Sequence, residues 1–185
     1  MDDVRSAEPR DADFLAWAIL AATRSHVARG WFDVLLARPE SACLDFLRRL
    51  VLAETRSWWH YSRFYVAEVS KSFGWDEAEQ KAMWARGSYI FTCAFEDNED
   101  LWTIENVATV PAYRGRGLAG RLIQRALLEG RRQGLSQTQI TVFIGNEAAA
   151  RAYSKAGFVV DGERRHADFE AATGVPGLCR YLRPL

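Results

Sequence analysis

The stretch Val107 to Gly120, VATVPAYRGRGLAG, limits this chain more than any other. Before it, the β-type run Leu101 to Val110 reads as a strand that stops at Pro111. After it, Leu118, Leu122, Ile123, Ala126 and Leu127 keep the spacing of one helix face, and Arg121, Arg125, Arg131 and Arg132 fall on the other. A strand, a glycine turn and a helix start in succession form a site for an anion. The first amides of a helix have no internal partner, and the helix dipole places partial positive charge there. Gly115 and Gly117 remove the side chains that would hold an anion away from those amides. Arg114 and Arg116 add fixed positive charge at the same corner. Phosphate is the natural ligand.

Spacing separates the kinds of phosphate site. A P-loop requires Gly-Lys-Ser/Thr after its last glycine, and here Leu118-Ala119 follows. Gly115-x-Gly117-x-x-Gly120 fits a dinucleotide fingerprint, but the chain lacks the βαβ run that should surround it. A different pattern fits better: Arg114-x-x-Gly117-x-Ala119, preceded by a hydrophobic strand and a proline. Further on stands a second block, Asn146-x-x-Ala149-x-x-x-Tyr153-x-Lys155-x-Gly157-Phe158. In this order the two blocks resemble the acyl-CoA signature and the second motif of the GNAT superfamily of N-acyltransferases.

That resemblance, carried by residues 101–160, implies an α/β fold with a mixed, mostly antiparallel central sheet flanked by helices. In the superfamily the sheet splays between the central strand and the next, and the pantetheine arm enters the split like an added strand. Val107, Ala108 and Thr109 map onto the backbone that meets pantetheine and the thioester carbonyl. Arg114, Gly115, Arg116, Gly117, Leu118, Ala119 and Gly120 map onto the pyrophosphate loop. Tyr153 stands at the general acid's position, and Asn146 is placed for a hydrogen bond to the cofactor. Each also has a plainer use, since Tyr153 can pack on the core and Asn146 can cap its helix. The implied reaction moves an acetyl group from acetyl-CoA to a primary amine by direct attack.

The rest of the chain reads as one domain over 1–185, with 70–100 an atypical segment on the substrate side. Val4 to Ala7 reads as a short strand. A helix opens at Asp11 or Asp13 and runs towards Gly30; another starts near Pro39. Arg63 to Val69 and Ser88 to Phe95 read as strands, with a helix over Trp75 to Arg86 between them, and the acidic loop Glu96 to Asp100 follows. Gln137 to Ile144 reads as a strand, Asn146 as the cap of a helix that Gly157 ends, and Phe158 to Val160 and Leu178 to Leu182 as closing strands. An extra helix between the two strands that should form a hairpin departs from the superfamily.

Composition excludes several classes. With 24 basic and 24 acidic residues, no global charge points to nucleic acid or an anionic membrane. The three cysteines, Cys43, Cys93 and Cys179, are far apart and lack metal or disulfide spacing, and three histidines are equally scattered, so no metal is expected and a reducing cytoplasm is the natural home. The apolar run Phe14 to Ala22 is too short to span a bilayer. The expected partner is an amine acceptor, small molecule or protein; a homodimer is compatible with the sequence.

Direct transfer needs a neutral amine. An alkyl amine of pKa about 10.4 is only ~0.1% neutral near pH 7.4, a penalty of roughly 4 kcal/mol without a base. Glu105, a carboxylate inside the otherwise apolar central run, is the leading base; a salt bridge or edge position is its plainer reading. Asn106 beside it is placed to orient a water. On the following strand, where other superfamily members carry the base, this chain has Thr141. His166 and Glu68 are weaker candidates, and neither Cys93 nor Cys179 sits in a nucleophile motif. The seven tryptophans, mostly before residue 103, suit an aromatic acceptor pocket or simply the core. Two rival readings stand beside acetyl transfer: a catalytically degenerate CoA-binding sensor or regulatory module, and a dinucleotide binder that would bind NAD.

Overall fold

The computed structural model describes residues 5–53, 74–96 and 100–185. Among the described residues seven α-helices and four strands follow one another: α1 Ala12–Arg24, α2 Trp31–Leu36, α3 Glu40–Leu52, α4 Glu77–Gly87, β1 Leu101–Thr103, α5 Leu118–Arg132, β2 Gln137–Phe143, α6 Glu147–Lys155, β3 Val159–Arg165, α7 Ala167–Thr173 and β4 Gly177–Pro184. The strands form a mixed sheet in the order β1-β2-β4-β3. β1 runs parallel to β2, and both pairs involving β4 are antiparallel.

Alternation along β2 and β4 gives the sheet two apolar faces. Ile140, Val142, Cys179 and Tyr181 pack with Ile123 and Leu127 of α5 and Tyr153 of α6. Phe143 and Leu178 pack the other way, into a cluster built from α1, α2, α3, Met83 and Phe169. The α5 stripe is narrower than its sequence predicts. Ile123 and Leu127 are buried and Gly130 lies against Trp102 and Leu185, but Leu122 remains 43% exposed. Positions 123, 127 and 130 hold the i, i+4, i+7 line, and 122 lies off its edge.

Several predicted elements change. The central strand stops at Thr103, not Val110. Ile104 N–H still donates to Gln139 O at 3.0 Å, but Asn106 has φ 55°, a left-handed conformation that no strand accommodates. From there the chain leaves β2, which continues to Phe143 paired with β4 alone, and the sheet splays as expected. Ser88–Thr92 is a 3₁₀ turn and not a strand. Tyr89 and Cys93, four apart, are both buried in the helical cluster, and Tyr89 meets Phe169 edge-on at 5.4 Å. Gly30 does not end one long helix: α1 stops at Arg24, and Gly30 precedes the unforeseen α2. Arg24 holds Asp33 of α2 through bonds of 2.9 and 2.7 Å, and Gly30 N–H donates to the same carboxylate. Residues 5–7 form no strand, and α7 was not foreseen. The helices near Pro39 and over 75–86 appear as α3 and α4. The predicted strand Arg63 to Val69, the residue Glu68 and the middle of the acidic loop lie outside the described residues.

Candidate active site

Where β1 and β2 part, a cleft of about 1730 Å³ opens between the two apolar clusters. A pocket for one drug-sized ligand measures roughly 300–1,000 Å³. This one is large enough for two molecules.

One end of the cleft is the start of α5. Gly117 caps it at φ 75° and Gly115 has φ 76°, conformations that only glycine adopts without strain. A Cβ on Gly115, Gly117 or Gly120 would meet no protein atom within 4 Å. The loop therefore opens on space that a bound group can enter, with the first-turn amides of α5 at its edge. Arg114 Nε donates to Thr109 O at 3.3 Å and ties the loop to the strand extension. Arg114, Arg121, Arg125 and Lys155 line the cleft. Arg116 does not; its guanidinium stacks over Tyr113 at 5.0 Å. Leu118 and Ala119 are lining residues too. Arg131 and Arg132 lie away from the cleft, and Arg132 pairs with Glu129 at 3.8 Å.

The strand extension forms one wall. Val107, Ala108 and Thr109 line it, as do Glu105 and Asn106 at the kink. Thr141 lies in the same cleft on β2. The kink thus turns the exposed Glu105 into a lining residue beside the backbone of 107–109.

α6 forms another wall. Asn146 Oδ1 accepts from Ala149 N–H at 3.1 Å, the expected cap, and Asn146 Nδ2 donates to Ser25 Oγ at 2.7 Å. Both ends of this amide are engaged within the protein. Tyr153 is buried, its ring edge-on to Tyr181 with centroids 5.9 Å apart, and it reaches the cleft. Burial, reinforced by Tyr181, pushes its phenol up to about 12, so it is fully protonated at neutral pH.

The other candidates fall elsewhere. His166 Nδ1 accepts from Asp168 N–H and caps α7, away from the cleft. Cys43, Cys93 and Cys179 are buried thiols, and none lines the cleft. Of the described tryptophans, Trp31 and Trp84 reach the cleft, though Trp31 is mainly core, its Nε1 donating to Gly87 O. Sequence reasoning missed Ser25 and His26, which line the cleft beside Asn146. No motif marks them, because they come from a helix end more than a hundred residues away in the chain. Among the described residues no His, Cys, Asp and Glu cluster could hold a metal, and no helix is long and apolar enough to cross a membrane.

The sequence profile of the Acetyltransferase (GNAT) family matches residues 45–158, more than half of the chain. The chain belongs to the GNAT acetyltransferase family. No curated protein matches the sequence significantly. Among solved structures, one described as an acetyltransferase is similar over 97% of both chains, with a TM-score of 0.63 and 14% identity. An N-acetyltransferase from Staphylococcus aureus Mu50 is similar over 97% of this chain and 98% of its own, with a TM-score of 0.62 and 21% identity. An agmatine N-acetyltransferase mutant in its apo form is similar over 98% of both chains, with a TM-score of 0.51 and 15% identity. At these identities the likeness is one of fold. It removes the dinucleotide reading: among the described residues the sheet has one parallel pair and two antiparallel pairs, not the pairing of a doubly wound parallel sheet.

Proposed function

We propose that this GNAT acetyltransferase carries an acetyl group from acetyl-CoA to a primary amine by direct attack, with no covalent enzyme intermediate. The observation that carries the reading is one cleft that unites an open glycine-capped helix start, a strand extension released from its neighbour, a carboxylate and a buried tyrosine.

In this reading the amides of residues 115–120 receive the pyrophosphate, and the lining cations Arg114, Arg125 and Lys155 offset its charge. The backbone of Val107, Ala108 and Thr109 pairs with the pantetheine arm and orients the thioester carbonyl. Glu105 takes a proton from the incoming ammonium, directly or through a water held by Asn106. The neutral nitrogen attacks the carbonyl carbon, the C–N bond forms and the C–S bond breaks. The sulfur leaves with the electron pair and takes the Tyr153 proton. The second proton that the nitrogen loses as the amide forms passes through water to the Tyr153 phenolate, and Glu105 releases its proton to solvent. A phenol at about 12 is a weak acid towards an ordinary thiolate of about 8.5. The same burial raises the basicity of a thiolate formed against it, so the difference between the two, not the phenol alone, sets the transfer.

The test is release of thiol from acetyl-CoA in the presence of an amine panel, followed with a thiol reagent. Amine-dependent release supports the reading. Binding of acetyl-CoA without release for any amine makes the chain a CoA-binding module instead.

A further inference from the structure

We propose that the acceptor is an arylalkylamine, one ammonium group carried on an aromatic body, and not a polyamine. The proposal rests on the reading of the cleft as an acetyl-transfer site and names the acceptor class for it.

The two faces of the sheet divide the cleft. α5 and α6 lie on one face, where Ile123, Leu127 and Tyr153 pack with Ile140 and Val142. The lining cations Arg114, Arg125 and Lys155 come from these two helices and the loop before α5. The opposite face belongs to the helical cluster, which takes in Phe143 and Leu178. Alternation along β2 puts Gln139 and Thr141 on the side of Phe143. Gln139 Nε2 donates to Thr103 Oγ1 at 3.0 Å, so Thr103 is on that side too. Trp102 and Ile104 pack the other way, towards α5. Glu105, next in the chain and ahead of the kink at Asn106, returns to the face of Thr103. The carboxylate assigned to the amine proton thus opens on the face opposite the phosphate loop. An acceptor reaches it from the side of the helical cluster. The cofactor, with its phosphates at α5 and its sulfur near Tyr153, takes the other side.

The acceptor side is aromatic. Phe143 and Leu178 line the cleft there, together with Trp84 of α4, Ile90 and Phe91 of the 3₁₀ turn, and Phe95 beyond it. Phe91 is 50% exposed, an apolar area that a ligand's ring would remove from water.

Charge on the same side selects against a second cation. The guanidiniums of Arg180 and Arg164 lie 4.6 and 4.9 Å from the centroid of the Phe95 ring. Neither arginine lines the cleft, so Phe95 meets the cleft with positive charge beside it. Asp161 offsets Arg180 at 2.6 Å. Arg164 donates to Ala94 O and meets no carboxylate among the described residues. Among those residues, too, Glu105 is the one carboxylate that lines the cleft. A second ammonium on the acceptor would find no counter-ion there and would approach the charge of Arg164. An aromatic ring carries no charge and packs on the same wall.

The experiment uses the full chain. Wild type is assayed for thiol release from acetyl-CoA with phenethylamine, butylamine, putrescine and spermidine, and kcat/KM is measured for each. Phenethylamine exceeds butylamine by about tenfold or more, the worth of the extra apolar carbons in a fitting pocket, and putrescine falls below butylamine. Phe91→Ala and Phe95→Ala each lower the phenethylamine-to-butylamine ratio about threefold to tenfold, the loss of one aromatic pair. Calorimetry shows their acetyl-CoA affinity unchanged, which separates an acceptor wall from a cofactor wall. Arg164→Gln raises putrescine relative to butylamine and leaves the phenethylamine-to-butylamine ratio in place. Putrescine or spermidine matching phenethylamine overturns the proposal while acetyl transfer stands. Equal kcat/KM for phenethylamine and butylamine does the same, as does a ratio that neither phenylalanine variant changes. If wild type releases thiol with no amine of any class, the acetyl-transfer reading itself fails and the proposal falls with it.

Discussion

Replacing Gly117 by alanine separates what the glycine does for the fold from what it does for the ligand. A methyl group there would touch no protein atom within 4 Å, so packing within the protein is undisturbed. The backbone is disturbed, because φ is 75° and a left-handed conformation costs a non-glycine residue about 1–2 kcal/mol. In a domain of this size that lowers the melting temperature by about 2–8 °C. Gly134 supplies the control. It has φ 79°, a Cβ there also meets nothing within 4 Å, and it does not line the cleft. Gly134→Ala should therefore lose a similar amount of stability. The two variants must differ in binding. At Gly117 the methyl occupies the space through which a phosphate reaches the first amides of α5. Losing one or two charge-assisted hydrogen bonds, at about 1.5–3 kcal/mol each, weakens acetyl-CoA binding on the order of 10- to 100-fold or more. Thermal melting and titration calorimetry at a temperature where both variants are folded read the two effects independently. Equal acetyl-CoA affinity in wild type, Gly117→Ala and Gly134→Ala would refute the loop assignment, whatever happens to stability.

Tyr153→Phe should keep acetyl-CoA affinity and lower turnover on the order of 10²-fold, read from thiol release at saturating acceptor; unchanged turnover returns Tyr153 to a packing role. Glu105→Gln should lower turnover most near neutral pH and recover as pH rises, because each pH unit supplies about 1.4 kcal/mol of amine deprotonation. A pH-rate profile superimposable on wild type would remove Glu105 from the reaction. Asp33→Ala breaks the join between α1 and α2, where Arg24 and Gly30 N–H hold the carboxylate, and should cost about 2–3 kcal/mol in denaturant unfolding. Burial alone would raise the Asp33 carboxyl, but the bonds from Arg24 and Gly30 outweigh it and leave it below its ordinary value. The stability it contributes is therefore present above about pH 4 and lost as pH falls below that, so wild type and Asp33→Ala should converge in acid.

Local chemistry written in neighbouring residues was legible without coordinates. The glycine turn, the helix it opens, the Asn146 cap and the left-handed Gly157 are decided within a few residues, by φ preferences and by the orphan amides of a helix start. Tyr153 and the strand extension line one cleft, a placement that the resemblance of the two motifs implied and that no local preference decides. Other features depended on contacts that no window of sequence contains. Ser88 to Phe95 has the composition of a strand, yet Tyr89 and Cys93 gain more by packing into the helical cluster as a 3₁₀ turn. The run Leu101 to Val110 reads as uninterrupted β, and only the turn of Asn106 away from β2 opens the split. The first helix ends at Arg24, short of Gly30, and Arg24 reaching Asp33 joins it to a second helix that no sequence pattern marked. Ser25 and His26 carry no motif at all. They become part of the site because Asn146 bonds a hydroxyl 121 positions earlier in the chain, and the tertiary fold alone brings such partners together.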